Sequence, residues 1–389
     1  METSKVEGKR HHLVNGYSSL YPKKAVIGIT ITLPAQRNHA AAACSAQSSR
    51  LDKALARQLE KPVNRFHAGP SNPQRAAAPC PGVRLTMICK RCKSATAIIS
   101  LPSHNTGFCE NCFRDFFSAQ VARGIETGKL FTHEDRILVA LSGGKDSLSL
   151  MLELSRQGYD VTGLHIDLGI PGTSEIVRGV IERFCGKHGF KLIVKEMAKE
   201  GLAIPLVKQR LKRPICSACG KIKRHYFNKT ALEEGFTALA TGHNLDDEIA
   251  RLFSNTLRWD VGYLSDQGPR LDGEDGFARK VKPFWRLTEF ETATYAFLEE
   301  IEHHHTPCPY SAGASFTYYK GLWNQLEEEM PGRKLSFYVD FLKRGRSAFA
   351  GLERTEGDAL APCTVCGYPT SSGVCGVCRI REVVKEGKE

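Results

Sequence analysis

The segment Leu141-Ser-Gly-Gly-Lys-Asp-Ser147 constrains this chain more than any other. It follows the apolar run Arg136-Ile-Leu-Val-Ala-Leu141 and precedes a stretch of helical period, Leu148 to Gln157. Strand, glycine turn and helix is therefore the predicted order. A helix N-terminus presents unpaired N–H groups and the positive end of its dipole, which makes the turn a ready anion site. Gly143 and Gly144 let the backbone approach a phosphate closely. Ser142 and Ser147 offer hydroxyls and Lys145 a charge, while Asp146 either caps the helix or holds Mg2+. The spacing is not that of the G-x-x-x-x-G-K-[ST] loop.

The alternation continues downstream. Val161-Thr-Gly-Leu-His-Ile166, Lys191-Leu-Ile-Val194 and Thr237-Ala-Leu-Ala-Thr241 read as strands. Ser174 to His188, Cys216 to Glu234 and Asp246 to Thr256 read as helices. This is the pattern of an α/β protein with a doubly wound parallel sheet and right-handed crossovers. Two strands end in polar segments, Leu164-His-Ile-Asp-Leu-Gly169 and Thr241-Gly-His-Asn-Leu-Asp-Asp-Glu248, where open α/β sheets bind ligands. Asp246, Asp247 and Glu248 are candidates to hold Mg2+ or to activate a nucleophile. Asp246 also suits an N-cap and Glu248 a first-turn acid, so Asp247 takes the functional role.

The chain has 14 cysteines, and in a cytosolic protein regular cysteine spacing points to metal rather than disulfides. Cys89-x2-Cys92 with Cys109-x2-Cys112, and Cys363-x2-Cys366 with Cys375-x2-Cys378, are paired C-x2-C units. That pattern predicts two closed, structural, tetrahedral zinc sites. A third pair lies in Pro214-Ile-Cys-Ser-Ala-Cys-Gly-Lys-Ile-Lys-Arg224, where Cys216 and Cys219 share one helix face with Lys223. Basic neighbours there are expected to lower the thiol pKa. Cys308, held between prolines, is a third candidate. Three thiols leave three options: a [4Fe-4S] cluster with one open iron, persulfide or disulfide chemistry, or zinc completed by His225, His303, His304 or His305. Cys185 has no partner pattern and reads as a small buried hydrophobe.

Charge says less than its total suggests. The net charge is +12, but residues 1–86 hold 13 Lys/Arg against 4 Asp/Glu, and the remaining 303 residues hold 41 against 38. Nucleic-acid binding must therefore be argued from local patches, Lys208–Arg213 and Lys221–Arg224. Residues 1–86 lack periodicity and are expected to be a disordered basic tail, or an extension ahead of a true start at Met87. The remaining divisions are a knuckle at 87–115, a catalytic α/β unit at 116–286, a helical part at 287–350, and a second knuckle with its tail at 351–389. A helix is predicted over Phe116–Thr127. Residues 259–286 read as a Gly/Asp-rich loop with a strand near Phe284. No apolar run approaches the roughly 18–20 residues of a membrane span, and the chain reads as cytoplasmic.

SGGKDS is the signature of the PP-loop ATP pyrophosphatases, an adenine nucleotide alpha hydrolase-like fold. Taken with the flanking quartets, the C-x2-C-G-x2-K-R segment, T-G-H-N-x-D-D-E and the Cys-Pro at 308, the chain resembles the TtuA-type tRNA 2-thiouridine synthetases. These belong to the TtcA/TtuA group and are related to the eukaryotic cytosolic thiouridylases. The resemblance implies that Ala140, Ser142, Gly143, Gly144, Lys145, Asp146, Ser147, His165 and Gly242 surround ATP. It implies that Cys216, Cys219 and Cys308 hold a [4Fe-4S] cluster and that Lys223 and Asp247 are catalytic. It further implies a tRNA substrate, release of AMP and pyrophosphate, a ubiquitin-like sulfur carrier ending in a thiocarboxylate, and a homodimer. The rival expectations are an adenylating ligase or thiolase for another substrate, and a zinc-knuckle RNA-binding protein without catalysis.

Overall fold

The computed structural model describes residues 87–274, 276–310, 315–349 and 360–386. The expectations for residues 1–86 lie outside this range. The described chain begins with a hairpin, β1 (Ile99–Leu101) and β2 (Thr106–Phe108), and then α1 (Glu110–Gly128). The helix starts earlier than Phe116, because Cys109 is its N-cap and Cys112 lies in its first turn. Next come β3 (Arg136–Ala140), α2 (Lys145–Arg156), β4 (Asp160–Asp167), α3 (Ser174–His188) and β5 (Lys191–Glu196). They are followed by α4 (Ile204–Arg210), α5 (Ile215–Glu233), β6 (Ala238–Ala240) and α6 (Leu245–Arg258).

Residues 259–286 depart from expectation. They carry a short helix α7 (Val261–Ser265) and two short strands, β7 (Arg270–Leu271) and β8 (Lys280–Val281). Phe284 lies beyond the strands, fully buried, in a turn closed by Leu287 N–H donating to its carbonyl at 2.9 Å. Its apolarity serves the core rather than a strand. The chain continues through α8 (Glu289–Leu298), α9 (Ser315–Glu329), α10 (Arg333–Asp340), β9 (Ala361–Pro362), β10 (Pro369–Thr370) and α11 (Gly376–Glu386).

The main sheet has the order β5-β4-β3-β6-β8-β7 and is parallel except for β7, which runs antiparallel to β8. Side chains alternate across it, as strand geometry requires. Ile137 and Val139 of β3 and Ala238 and Ala240 of β6 enter one core, with α1, α2, α3 and α8. Leu138, Leu239, Leu164 and Ile166 enter the other, with α4, α5 and α11. The chain leaves β3 toward β4 and β5, then returns to place β6 on β3's other side. The β3/β6 boundary is thus the switch point at whose carboxyl end ligands bind.

The two knuckles repeat one design. Lys93 N–H donates to the Cys89 carbonyl at 2.9 Å, and Gly367 N–H to the Cys363 carbonyl at 2.8 Å. The residue after each second cysteine is left-handed, Lys93 at φ 58° and Gly367 at φ 73°. In each quartet the four sulfurs lie within 4.8 Å of one another. Cys92 and Cys109 sulfurs are 3.8 Å apart, and Cys366 and Cys375 sulfurs 3.6 Å. Thiolates about 2.3 Å from a tetrahedral zinc stand about 3.8 Å apart, so the donor sets fit that ion.

The second knuckle is packed onto α5. Cys363, Cys375, Val377 and Ile380 share a core with Ala218, Ile222 and Tyr226. His225 lies 4.5 Å from the Tyr368 ring, and Arg381 donates to Tyr226 Oη at 2.8 Å. After loading with zinc, Cys375→Ser should therefore retain one equivalent fewer than the wild type and speed hydrogen exchange along α5. Exchange along α1 should stay unchanged. Elemental analysis with amide-exchange mass spectrometry reads both.

Candidate active site

The glycine turn after β3 is held by its own side chains. Ser147 Oγ accepts from Ser142 N–H at 3.2 Å and donates to the Gly144 carbonyl at 3.0 Å. Gly143 has φ +76°, a left-handed conformation, and a Cβ there would lie 2.9 Å from Val177. Gly144, not Asp146, is the N-cap of α2. Asp146 turns inward, where its carboxylate accepts from Thr292 Oγ1 at 2.5 Å, Lys145 Nζ at 2.8 Å and Asn244 Nδ2 at 3.4 Å. The expected cap is therefore replaced by a clasp that ties α2 to α6 and α8. Lys145 also reaches Glu289 at 3.3 Å and is buried.

Gly242 brings the β6 end against this turn. A Cβ on it would sit 2.9 Å from both the Asp146 carbonyl carbon and the Ser147 nitrogen, so no larger residue fits without moving backbone. His165, buried on β4, donates from Nδ1 to the Leu141 carbonyl at 3.0 Å, which leaves Nε2 as an acceptor. That Nε2 is buried and without a partner among the described residues. Burial holds the imidazole pKa below its usual value, despite the Leu141 carbonyl, so the ring is neutral. A neutral orphan acceptor beside a phosphate turn suits the hydroxyl or amino group of a bound nucleoside. Ala140, the last residue of β3, is half-buried beside it.

The three acids of α6 diverge. Asn244 is the N-cap, in a capping box with Asp247, so Asp246 does not serve as the cap. Asp246 is buried against Lys334 and accepts from the Glu289 N–H at 2.7 Å. Glu248 is fully buried and accepts from Lys282 at 2.8 Å and Tyr338 Oη at 2.7 Å. Each of these carboxylates is tied to a partner of its own, so they do not form a shared metal cradle with Asp247. Asp247 remains at the surface of the cleft, ion-paired to Lys320 at 2.6 Å. Lys320 also reaches Glu289 at 3.0 Å. A continuous charge chain, Asp146–Lys145–Glu289–Lys320–Asp247, thus joins the phosphate turn to the candidate catalytic carboxylate. Burial raises the Asp247 pKa, but Lys320 and His243 outweigh it and hold the carboxyl below its usual value. At neutral pH it is a weak base and a firm anchor for a cation.

Cys216 and Cys219 occupy the first turns of α5. Cys216 is exposed and its thiol donates to the Tyr310 carbonyl at 3.2 Å. Upstream in the same segment, His304 N–H donates to the Gly143 carbonyl at 2.8 Å. The stretch 304–310 therefore runs from the phosphate turn to the cysteine helix and carries Cys308 between them. Four residues span at most about 14 Å, which bounds the reach from His304 to Cys308. Among the described residues, only the two quartets bring sulfurs or other ligand atoms as close as one ion requires; the trio is more open. His225 and His303 are buried, and burial pushes each pKa down to about 4. His303 bonds the Ile301 carbonyl and His225 packs on Tyr368.

The thiol expectation needs correction at Cys219. Burial raises its pKa, with Lys223 and Arg224 pulling down and Cys308 and Cys216 pushing up, and the net shift is upward. Lys223, half-buried on the same face, acts on Cys219 through its charge. Cys185 is buried, which pushes its thiol up to about 11, as an inert core residue requires. Lys208, Arg210, Lys212, Arg213, Lys221 and Arg224 are exposed near this site.

Known proteins resemble this chain in sequence and fold. A family profile described as the N-terminal LIM domain of 2-thiouridine synthetase TtuA matches residues 88–114, and one for the PP-loop domain matches 114–261. A tRNA-5-methyluridine(54) 2-sulfurtransferase of Thermus thermophilus is 41% identical over 77% of this chain and 92% of that protein. The chain belongs to the TtuA family. A protein of the same name from Pyrococcus horikoshii is 39% identical, over 77% of this chain and 95% of its own. Among solved structures, the U34-tRNA thiolase NcsA of Methanococcus maripaludis, described with its [4Fe-4S] cluster, is similar with a TM-score of 0.63 and 28% identity. The match covers 77% of this chain and 96% of NcsA. The parallel α/β architecture and the sulfurtransferase class are thereby established for this chain.

Lys320, Glu289, Thr292 and Lys334 were not legible as site residues, because the partners that bring them into the site, Asp247, Lys145, Asp146 and Asp246, lie far away in sequence. Gly242→Ala should lower stability by about 1–3 kcal/mol, as overpacking does, and weaken ATP binding; urea unfolding and nucleotide titration measure the two. Lys320→Met should cost about 1–2 kcal/mol at pH 7. Asp247 has a depressed folded pKa, so the pair's contribution is present above the unfolded carboxyl pKa and disappears as pH falls through the folded one. The wild-type–variant difference in unfolding free energy should accordingly shrink below about pH 4.

Proposed function

We propose that this chain is an ATP-dependent tRNA sulfurtransferase that replaces the C2 oxygen of a uridine with sulfur. The observation that carries the reading is the 304–310 segment, bonded to the phosphate turn at one end and to Cys216 at the other. That shared backbone supports a reading in which an activating site and a sulfur-handling site act together. ATP phosphates would lie on the N–H groups of residues 143–147 and the hydroxyls of Ser142 and Ser147, with Mg2+ as counter-ion. His165 Nε2 would accept from the nucleoside.

In this reading uridine O2 attacks the α-phosphorus, the bond to pyrophosphate breaks, and N3 gives up its proton. Loop N–H groups stabilise the charge that develops. A hydrosulfide adds to C2, the C2–O bond breaks, AMP leaves with the original oxygen, and a proton returns to N3. No atom changes oxidation state. A [4Fe-4S] cluster on Cys216, Cys219 and Cys308 would leave one iron without a protein ligand and so supply a Lewis-acidic position for sulfur. Lys223 would steady the incoming anion, and Asp247 would orient a cationic neighbour.

The exposed basic residues of α4 and α5 suit a tRNA backbone, from which the target base is extruded. The higher identity to relatives named for position 54 favours the T-loop uridine over U34. A ubiquitin-like thiocarboxylate donor and a cytoplasmic site of action follow the resemblance. So does a homodimer, for which Leu322, Leu326 and Met330 of α9 and its end offer an exposed apolar stripe.

The test is nucleoside mass spectrometry of tRNA treated with the anaerobically reconstituted protein, ATP and sulfide. The expected product is 2-thiolated uridine mapped to position 54; AMP formation that does not depend on tRNA defeats the proposal. Cys216→Ala should abolish thiolation and leave ATP affinity within about twofold, since it touches only the sulfur side.

A further inference from the structure

A second recess, of about 580 Å3, lies between α1, α8 and α10. None of its lining residues belongs to the phosphate turn or the cysteine site. Its size falls within the range of about 300–1,000 Å3 typical of ligand sites. It shares α8 with the active centre: Glu291 lines the recess, while Glu289, two residues earlier, joins Lys145 and Lys320.

The charge facing this recess is unbalanced. His104, Arg123, Arg286 and Lys343 line it, against two carboxylates. Both carboxylates are already committed. Glu291, buried, accepts from Thr288 N–H at 2.7 Å and from His104 at 3.0 Å. Glu327 accepts from the N–H groups of Gly332 at 2.6 Å and Lys334 at 2.8 Å. Arg286 donates from Nε to Gln120 at 3.3 Å and lies 5.1 Å over the Trp285 ring, which leaves the outer nitrogens of its guanidinium. Among the described residues, no carboxylate lies within ion-pair distance of Arg123 or Arg286. Burial and the charge of Arg123 both destabilise the Arg286 cation, the signature of like charges held without a counter-ion. The inner wall is apolar, built from Leu335, Val339 and Leu342.

Paired guanidiniums over an apolar wall match a phosphodiester with its sugar and base. A free triphosphate fits less well, because the N-terminus of α8 beside the recess is closed by its own capping box. We infer that this recess receives one nucleotide of the tRNA substrate away from the reacting uridine, its phosphate gripped by Arg123 and Arg286. The inference rests on the tRNA reading above. Arg123 and Lys343, exposed at the rim, meet the strand as it enters and leaves.

The experiment measures tRNA affinity of the full chain across a KCl series, for the wild type, Arg123→Glu, Arg123→Lys and the double variant Arg123→Glu/Lys343→Glu. Both positions are exposed, so folding is retained, and ATP affinity serves as the control. Arg123→Glu should weaken tRNA binding about tenfold or more at 0.1 M salt, and the double variant should reduce the slope of log K against log[salt] by about two. Arg123→Lys should keep the wild-type salt slope but recover only part of the affinity, since lysine lacks the guanidinium fork. Unchanged tRNA affinity and slope in both Glu variants overturns the inference alone. A wild type that binds no tRNA overturns the underlying reading as well. Titration with AMP and with inorganic phosphate separates the sources: micromolar AMP binding abolished by Arg123→Glu, with tRNA affinity intact, assigns the recess to a small nucleotide and overturns the inference.

Discussion

The hydrogen bond from the His304 N–H to the Gly143 carbonyl ties the phosphate turn to the segment that carries Cys308. Gly143 is the left-handed residue of the phosphate turn, so its carbonyl direction is fixed by the turn itself. His304 begins the stretch that carries Cys308 and ends on Cys216 through Tyr310. The phosphate turn and the start of α5 are thus both bonded to the stretch 304–310.

Charge is organised with the same economy of parts. Five ionic side chains alternate in sign from Asp146 to Asp247. Each cation is shared between two carboxylates, so removing a single lysine leaves two buried or half-buried anions facing each other. The depressed carboxyl of Asp247 follows from this sharing. A carboxylate held ionised in this way is better suited to holding a positive partner in place than to accepting a proton.

The sequence disclosed those features whose physics is local. β3, the glycine turn and α2 are contiguous, and so are the C-x2-C turns, where four residues define a knuckle. Helix α3 was read to the residue, from Ser174 to His188. Features set by long-range packing were not visible. Asp246 has the chemistry of a cap and becomes a buried partner of Lys334. Phe284 has the apolarity of a strand and fills the core from a turn. Cys219 has basic neighbours that favour thiolate, yet burial prevails. Glu289 and Lys320 gave no local signal, since what selects them is the docking of α8 and α9 onto α2 and α6.

The two-residue antiparallel strand β7 finishes the sheet beyond β8. A parallel sheet left open at β8 would offer a row of free N–H and C=O groups to any passing extended segment. Here that rim is cut short and carries Arg270, and the opposite rim, β5, carries Lys191 and Lys195. Both borders are thus poor templates for a foreign strand. A newly made chain can thereby close its sheet without recruiting neighbouring copies, and so resist the intermolecular β-pairing to which slow-folding parallel sheets are prone.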